Sequence, residues 1–337
     1  MRFPRPLQSG DRIGVTAPSA GVAPALRSRL EVAVRSLESR GYDVVVGDCI
    51  GTPGVVSAPK AERAAELTAM LADPSIRAVV PPWGGEMAID LLDLVDWTAL
   101  ASAEPTWLVG FSDLTTVMVP VTLRLGWATL HGSNLMDTPY AAPGGLLHWT
   151  DLASGTGPFV QRSPERWRDT GWVDYAEQPA VSRFTLDAVG TWRVVGGGPV
   201  DVSGRLIGGC IETLGPIAGT PYGDVASYGR TYAEDGLVVY LEAAEDSAFT
   251  IGRTLHSLRY AGWFEHARAV LVGRTAAPDA PGFSQDDAVL DALGDLGIPI
   301  VLDVECGHVA PYLPLVNGAL ARVVVDDERR EITQTLA

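Results

Sequence analysis

Trp107-Leu108-Val109-Gly110-Phe111-Ser112-Asp113-Leu114-Thr115 runs from an apolar stretch through a glycine into a serine, an acid and a threonine. Leu108 to Phe111 reads as a buried strand and Asp113 to about Leu125 as a helix, so Ser112 falls on the turn between them. A serine so placed projects its hydroxyl from the end of a sheet toward the positive end of a helix, as in a nucleophile elbow. A second reading stays open. The pattern is not G-x-S-x-G, because Leu114 stands where the second glycine would be, and Ser112 or Asp113 can equally serve as the helix cap.

The flanking sequence sets this turn in a repeating order. Arg12 to Ala17 reads as a first strand, followed by the Pro18-Ser19-Ala20-Gly21 turn and a helical pattern over Ala23 to Arg40 with Leu26, Leu30, Val34 and Leu37 on one face. Tyr42 to Val46 is a second strand, Pro59 to Ala72 a second helix and Ala78 to Pro81 a short strand. Trp83-Gly84-Gly85 and a helix over Met87 to Leu94 lead into the serine element. Strands alternating with helices predict an α/β fold with a Rossmann-like parallel sheet. Ligands bind such sheets at the carboxyl ends of strands, where Gly84-Gly85 and Ser112 both fall.

From about Ala141 to Val189 the alternation stops. Pro143-Gly144-Gly145, Gly155-Thr156-Gly157-Pro158, Trp167 and Trp172 read as a long connection. A second, β-rich α/β unit begins near Trp192, with strands at 204–207, 236–241, 269–272, 300–304 and 321–325 and helices at about 247–261 and 286–296. The expected division is residues 1–140 carrying the serine, a linker over 141–190, and residues 191–337, with the site at the interface of the two units.

The 337 residues are 47% hydrophobic, enough for two cores, and carry a formal charge of −16. That balance, with no basic run, argues against a nucleic-acid partner. Cys49, Cys210 and Cys306 are widely spaced and form no C-x-x-C, so neither a disulfide framework nor a structural zinc site is expected. No signal-like segment opens the chain and no run of 18 apolar residues occurs, which makes a cytoplasmic protein without a membrane span the default expectation.

A serine nucleophile needs a base, and the base an orienting group. His256 and His266 lie in or beside an apparent helix and His148 in the connection, leaving His308 and its rival His131. His308 follows the apolar strand 300–304 and Cys306-Gly307, and Glu242 ends the strand Leu237-Val238-Val239-Tyr240-Leu241. An acid at the end of an apolar strand is costly unless paired or at a site. Ser112, Glu242 and His308 therefore share one context, the mouth of a strand; each taken singly is also readable as a loop polar residue.

Ser112 in GFSDLT, Glu242 in LEAAED and His308 in CGH, in that order, resemble the Ser-Glu-His triad of the serine peptidase family that includes the L,D-carboxypeptidases and the microcin C7 self-immunity hydrolases. Residues 7–15 with Pro18-Ser19, Arg63 to Leu67 with Asp73 to Ala78, Gly84-Gly85, Gly204 to Cys210 and Gly219 to Tyr222 resemble further parts of that family, over nearly the whole chain. Two positions depart from its pattern. Cys210 stands where asparagine usually follows the two glycines. Glu86 follows the oxyanion-loop glycines and adds negative charge beside a site that must stabilise an anion, unless its side chain points away.

The resemblance implies Ser112 as nucleophile, His308 as proton carrier and Glu242 as its orienting group. Backbone N–H groups of Gly85 and Asp113 would form the oxyanion hole, with Asp113 itself a structural cap. It implies no metal or organic cofactor, and a homodimer. Gly262-Trp263-Phe264, Val272-Gly273-Arg274 and the tryptophans of the connection lean toward the immunity branch, which cleaves the amide of an aspartyl-nucleotide phosphoramidate. Trp172, and after it Trp167, would then stack on the base; the alternative is that either tryptophan pins its loop to the core. The other branch releases terminal D-alanine from murein tetrapeptide. Two further classes stand beside these: a non-catalytic binding protein on the same scaffold, and a dinucleotide enzyme suggested by Gly196-Gly197-Gly198 but lacking a G-x-G-x-x-G after the first strand.

Overall fold

The computed structural model describes residues 1–51 and 54–337. The first half alternates as expected: β1 (Arg12–Val15), α1 (Arg27–Ser39), β2 (Asp43–Val46), α2 (Lys60–Ala72), β3 (Ile76–Val79), α3 (Trp97–Ser102), β4 (Trp107–Gly110), α4 (Thr115–Leu125) and β5 (Thr129–His131). Pairs β1–β2, β1–β3, β3–β4 and β4–β5 are all parallel. The helix expected over 87–94 contracts to a short 3-10 turn at Ala88–Leu91, whose first N–H is held by a side chain from the serine turn.

The stretch expected as a connection carries elements of its own: α5 (Trp149–Ser154), β6 (Phe159–Arg162), and the two-residue strands β7 (Arg166–Trp167) and β8 (Ala188–Val189), which pair with each other. After β9 (Arg193–Val194) come β10 (Val200–Cys210), α6 (Ile211–Leu214), α7 (Val225–Tyr232), β11 (Leu237–Glu242), α8 (Ala248–Tyr260), β12 (Ala267–Gly273), α9 (Gln285–Leu293), β13 (Ile300–Val304), β14 (Leu315–Asn317), β15 (Leu320–Val325) and β16 (Arg330–Thr335). Strands β10 to β13 form a parallel block with antiparallel strands on both sides, in the order β6-β16-β15-β10-β11-β12-β13-β9.

Two strands cross the division expected from the sequence. β6 completes the edge of the second sheet, and β14, from late in the chain, pairs antiparallel with β5 and closes one edge of the first sheet. An apolar chain segment lying along an open strand edge satisfies backbone groups that would otherwise be exposed.

Helix α4 is where the two sheets meet. It is buried from Thr115 to Thr122 because the first sheet covers one side and β10 with α6 the other, which explains an apolar composition on all faces rather than along one stripe. A Cβ added to Gly209 would lie 2.2 Å from Thr115 Cγ2, so only glycine lets β10 approach the start of α4 this closely. The largest core cluster runs from Ala64, Leu67 and Val117 through to Ile207, Leu255 and Val270 without a break.

Beside it, Arg63 on α2 is almost wholly buried. It donates to the carbonyls of Ala58, Pro18 and Met87 and holds both carboxylate oxygens of Asp90, at 3.0 and 2.9 Å. It thereby fixes the turn after β1 and the segment after Gly85. Arg63→Met leaves those acceptors without their donor and is expected to cost about 3–5 kcal/mol. Urea unfolding checks this; a loss under about 1 kcal/mol would mean the loops hold themselves.

Candidate active site

The serine turn is strained in the way its role requires. Ser112 has φ 66°, in the left-handed region that a non-glycine residue rarely occupies. Phe111 before it is extended, and Ser112–Leu114 form one 3-10 turn that runs straight into α4. Asp113 is what holds this shape. Its buried carboxylate accepts from Ser19 Oγ (2.5 Å), the backbone N–H of Ala88 (2.8 Å) and Thr116 Oγ1 (3.3 Å). It thus ties the turn after β1, the segment after Gly85 and the first turn of α4 to one point. Gly84 presses on the same turn: a Cβ there would lie 2.8 Å from Asp113 N and from Ser112 Oγ, so a side chain would displace the hydroxyl.

Ser112 Oγ lies 3.0 Å from His308 Nε2, and His308 Nδ1 lies 2.7 Å from Glu242 Oε2. The three come from the turn after β4, the segment after β13, and the end of β11. Glu242 has no exposed surface and sits in register with Cys210 on the neighbouring strand. Burial alone would raise its carboxyl, but the charge of His308 and the two imidazoles facing it outweigh that and bring it down to about 2. For His308 burial works against the imidazolium, yet Glu242, then Glu212 and Glu245, carry it above the ordinary histidine value. The ring is wedged edge-on against Phe111, 5.0 Å between centroids.

His131, the rival base, lies behind the triad rather than in it. It is buried between Phe111 and Tyr240, with Nε2 at 3.8 Å from Glu242 Oε1. His148 caps α5 through its side chain, and His256 pairs with Asp291 on the surface. Cys210 Sγ, a Glu242 oxygen and a His308 nitrogen lie within 4.8 Å of one another, a spacing that could hold an ion. Burial nevertheless keeps the Cys210 thiol well above its usual range, which disfavours the thiolate a metal needs.

Two compartments open at Ser112, Gly85 and His308. One, of about 430 Å³, is walled by Trp83, Phe111, Trp172 and Tyr175. The other, of about 570 Å³, is walled by Glu86, Glu212, Glu245 and Asp246 beside Cys210. Glu86 therefore does not leave the site: it lines the second compartment, and its carboxyl is raised by burial and by Glu245, Asp113 and Asp246. Trp172 lines both compartments, is 57% exposed, and stands edge-on to His308. Trp167 lines neither, because its ring is covered by the Arg274 guanidinium at 4.8 Å, which in turn reaches Asp303. Glu245 and Asp246 are functional candidates that the sequence patterns do not single out, and the run Glu242-Ala-Ala-Glu245-Asp246 at a strand mouth is their signal.

Two stretches of the chain match models of a known family. The family description "LD-carboxypeptidase N-terminal domain" matches residues 13–132, and "LD-carboxypeptidase C-terminal domain" matches residues 203–323. A Streptomyces coelicolor protein provisionally named a carboxypeptidase is 31% identical over 96% of this chain and 93% of its own. The microcin C7 self-immunity protein MccF of Escherichia coli is 25% identical over 98% and 95%, and the murein tetrapeptide carboxypeptidase of Pseudomonas aeruginosa is 27% identical over 73% and 71%. In structure, a tryptophan-to-phenylalanine mutant of MccF in complex with adenosine monophosphate superposes with a TM-score of 0.82 at 22% identity, covering 99% of this chain and 98% of that one. At that identity the likeness speaks for the fold.

Proposed function

The chain belongs to the LD-carboxypeptidase family, and from that premise we propose that it hydrolyses an amide with Ser112 as nucleophile, His308 as general base and acid, and Glu242 as the group that orients the imidazole. The unbroken hydrogen-bond chain Ser112–His308–Glu242, on a serine held at positive φ, carries this reading.

Nε2 of His308 takes the hydroxyl proton as Oγ adds to the carbonyl carbon. The N–H groups of Gly85 and Asp113 meet the developing oxyanion; each such donor is typically worth about 3–4 kcal/mol. The tetrahedral centre collapses, the leaving amine takes the proton from Nε2, and the acyl group stays on Oγ. Water repeats the attack with His308 again as base, releasing the acid and restoring Ser112.

For the substrate, the aromatic compartment suits a flat leaving group with a base lying against Trp172, as in an aminoacyl or peptidyl phosphoramidate of a nucleotide. The second reading is a murein tetrapeptide losing its terminal D-alanine. It draws on the family description and on the Pseudomonas aeruginosa relative. A paired assay by mass spectrometry separates them: cleavage of the nucleotide conjugate supports the first, loss of D-alanine the second, and silence on both with an unreactive Ser112 supports a binding protein. We further propose a cytoplasmic homodimer in which residues 1–140 carry the nucleophile and residues 191–337 the acid and base. No helix among the described residues is long and apolar enough to cross a membrane.

Activity needs neutral His308. Because its neighbours raise it above the ordinary histidine value, the acid limb of kcat/KM is expected above pH 6.5. Glu245→Gln removes one of the charges that raises it, so the limb should move to lower pH. A limb that stays in place or moves up would show that His308 is not the titrating base.

A further inference from the structure

We infer that the substrate's acyl-side residue carries a positively charged side chain, lysine- or arginine-like, which seats against Glu86, Glu245 and Asp246. This rests on the hydrolase reading above and adds to it the charge of the substrate. Ser112 and His308 fix the cavity as a site; the acids decide what it accepts.

The four carboxylates of the second compartment are not equivalent. Glu212 is occupied: Oε1 accepts the backbone N–H groups of Ala244, Glu245 and Asp246 at 2.7, 3.0 and 3.2 Å, and Oε2 lies 3.2 Å from Cys210 Sγ. It shapes the turn after β11. The side chains of Glu86, Glu245 and Asp246 accept no hydrogen bond and make no ion pair among the described residues, and no lysine or arginine lines the compartment. Arg253 lines an adjoining groove beyond Glu212 and Asp246 and makes no ion pair among the described residues. Three unpaired carboxylates thus share one half-enclosed space, where like charges destabilise one another more than they would in open water.

That arrangement opposes the chemistry unless something enters to balance it. The reaction builds negative charge on the carbonyl oxygen in front of Ser112, and nearby carboxylates raise the energy of that state. A cation delivered by the substrate reverses the sign of the local field. An acidic acyl residue worsens it, so the wall selects as much by repulsion as by attraction. With a flat leaving group in the aromatic compartment, the acidic one is left for the acyl residue. Ala244 and Ala276 also line it, giving a small apolar surface for the methylene stem of a long basic side chain.

The test uses the full chain and a set of α-N-acetylated aminoacyl amides on one common leaving group, with lysine, norleucine or glutamate on the acyl side. Acetylation removes the α-ammonium, so only the side chain differs, and norleucine matches lysine without its charge. Lysine is expected to exceed norleucine by about 10-fold in kcat/KM and glutamate by about 100-fold, with both ratios shrinking as salt rises. Glu245→Lys combined with Asp246→Lys should bring glutamate level with lysine or above it. Protection of Ser112 from a serine-directed phosphonate gives a second readout that needs no turnover. If Ser112 labels but norleucine is cleaved, or protects, as well as lysine, the inference is overturned and the hydrolase reading stands. If Ser112 neither labels nor cleaves any amide, the hydrolase reading fails and takes the inference with it.

Discussion

Ser112→Ala is expected to lower kcat/KM for amide hydrolysis by about 10⁴-fold or more while leaving the fold intact. The hydroxyl makes one hydrogen bond, to His308, and faces the cleft rather than the core. Alanine keeps the Cβ, so the backbone at φ 66° is strained no more than before. The turn itself is held by Asp113, which the substitution does not touch. Unfolding free energy should therefore stay within about 0.5 kcal/mol of wild type. Hydrolysis followed by mass spectrometry, with a urea melt of the same sample, separates loss of chemistry from loss of structure. Full activity in the variant would move the nucleophile to another group.

Glu242→Gln should cost about as much, on the order of 10⁴-fold, for a different reason. The side chain keeps its shape and burial, but an amide in place of the carboxylate no longer favours the tautomer with the proton on Nδ1 and the free pair on Nε2. It also removes the charge that does most to raise His308. Two readouts should therefore move together: kcat falls, and the acid limb of kcat/KM shifts to lower pH. A purely structural role would lower activity without moving the limb. Activity within tenfold of wild type would remove Glu242 from the mechanism.

The serine element, the helix–strand alternation and all three mouth residues could be read from the sequence because each has a local cause. An apolar strand ending in glycine, a polar residue just past it and a helical run after it are short-range patterns, and α1, α2, α8 and β13 fall within a few residues of where they are expected. What could not be read is long-range. Nothing near Leu315 announces that it will pair with His131, 184 positions earlier in the chain, and nothing near Phe159 says that it joins the far sheet. The segment 141–190 looked like connection because its elements are short and are stabilised from outside themselves. Between His131 and His308 the local sequence leaves the choice open, since one ends an apolar strand and the other closely follows one. Placement behind Glu242 rather than in front of it is a matter of tertiary position. Trp167 and Trp172 both fall in the stretch that reads as connection, and it is Arg274, about a hundred positions later, that takes the Trp167 ring out of reach.

The pairing of β14 with β5 has a consequence for how the chain is made. A ribosome that has delivered the serine half still holds back the strand that covers its edge, and does so until position 317 has cleared the exit tunnel. Through most of synthesis the nascent first sheet presents an open apolar border of the kind that recruits other strands. Splitting the gene at the apparent boundary would make that transient state permanent: a fragment ending near residue 140 should aggregate when produced alone and become soluble when the complementary fragment is co-expressed. A stretch translated long after the serine unit thus acts as that unit's fastener, and nucleophile and base are brought together by the same late event.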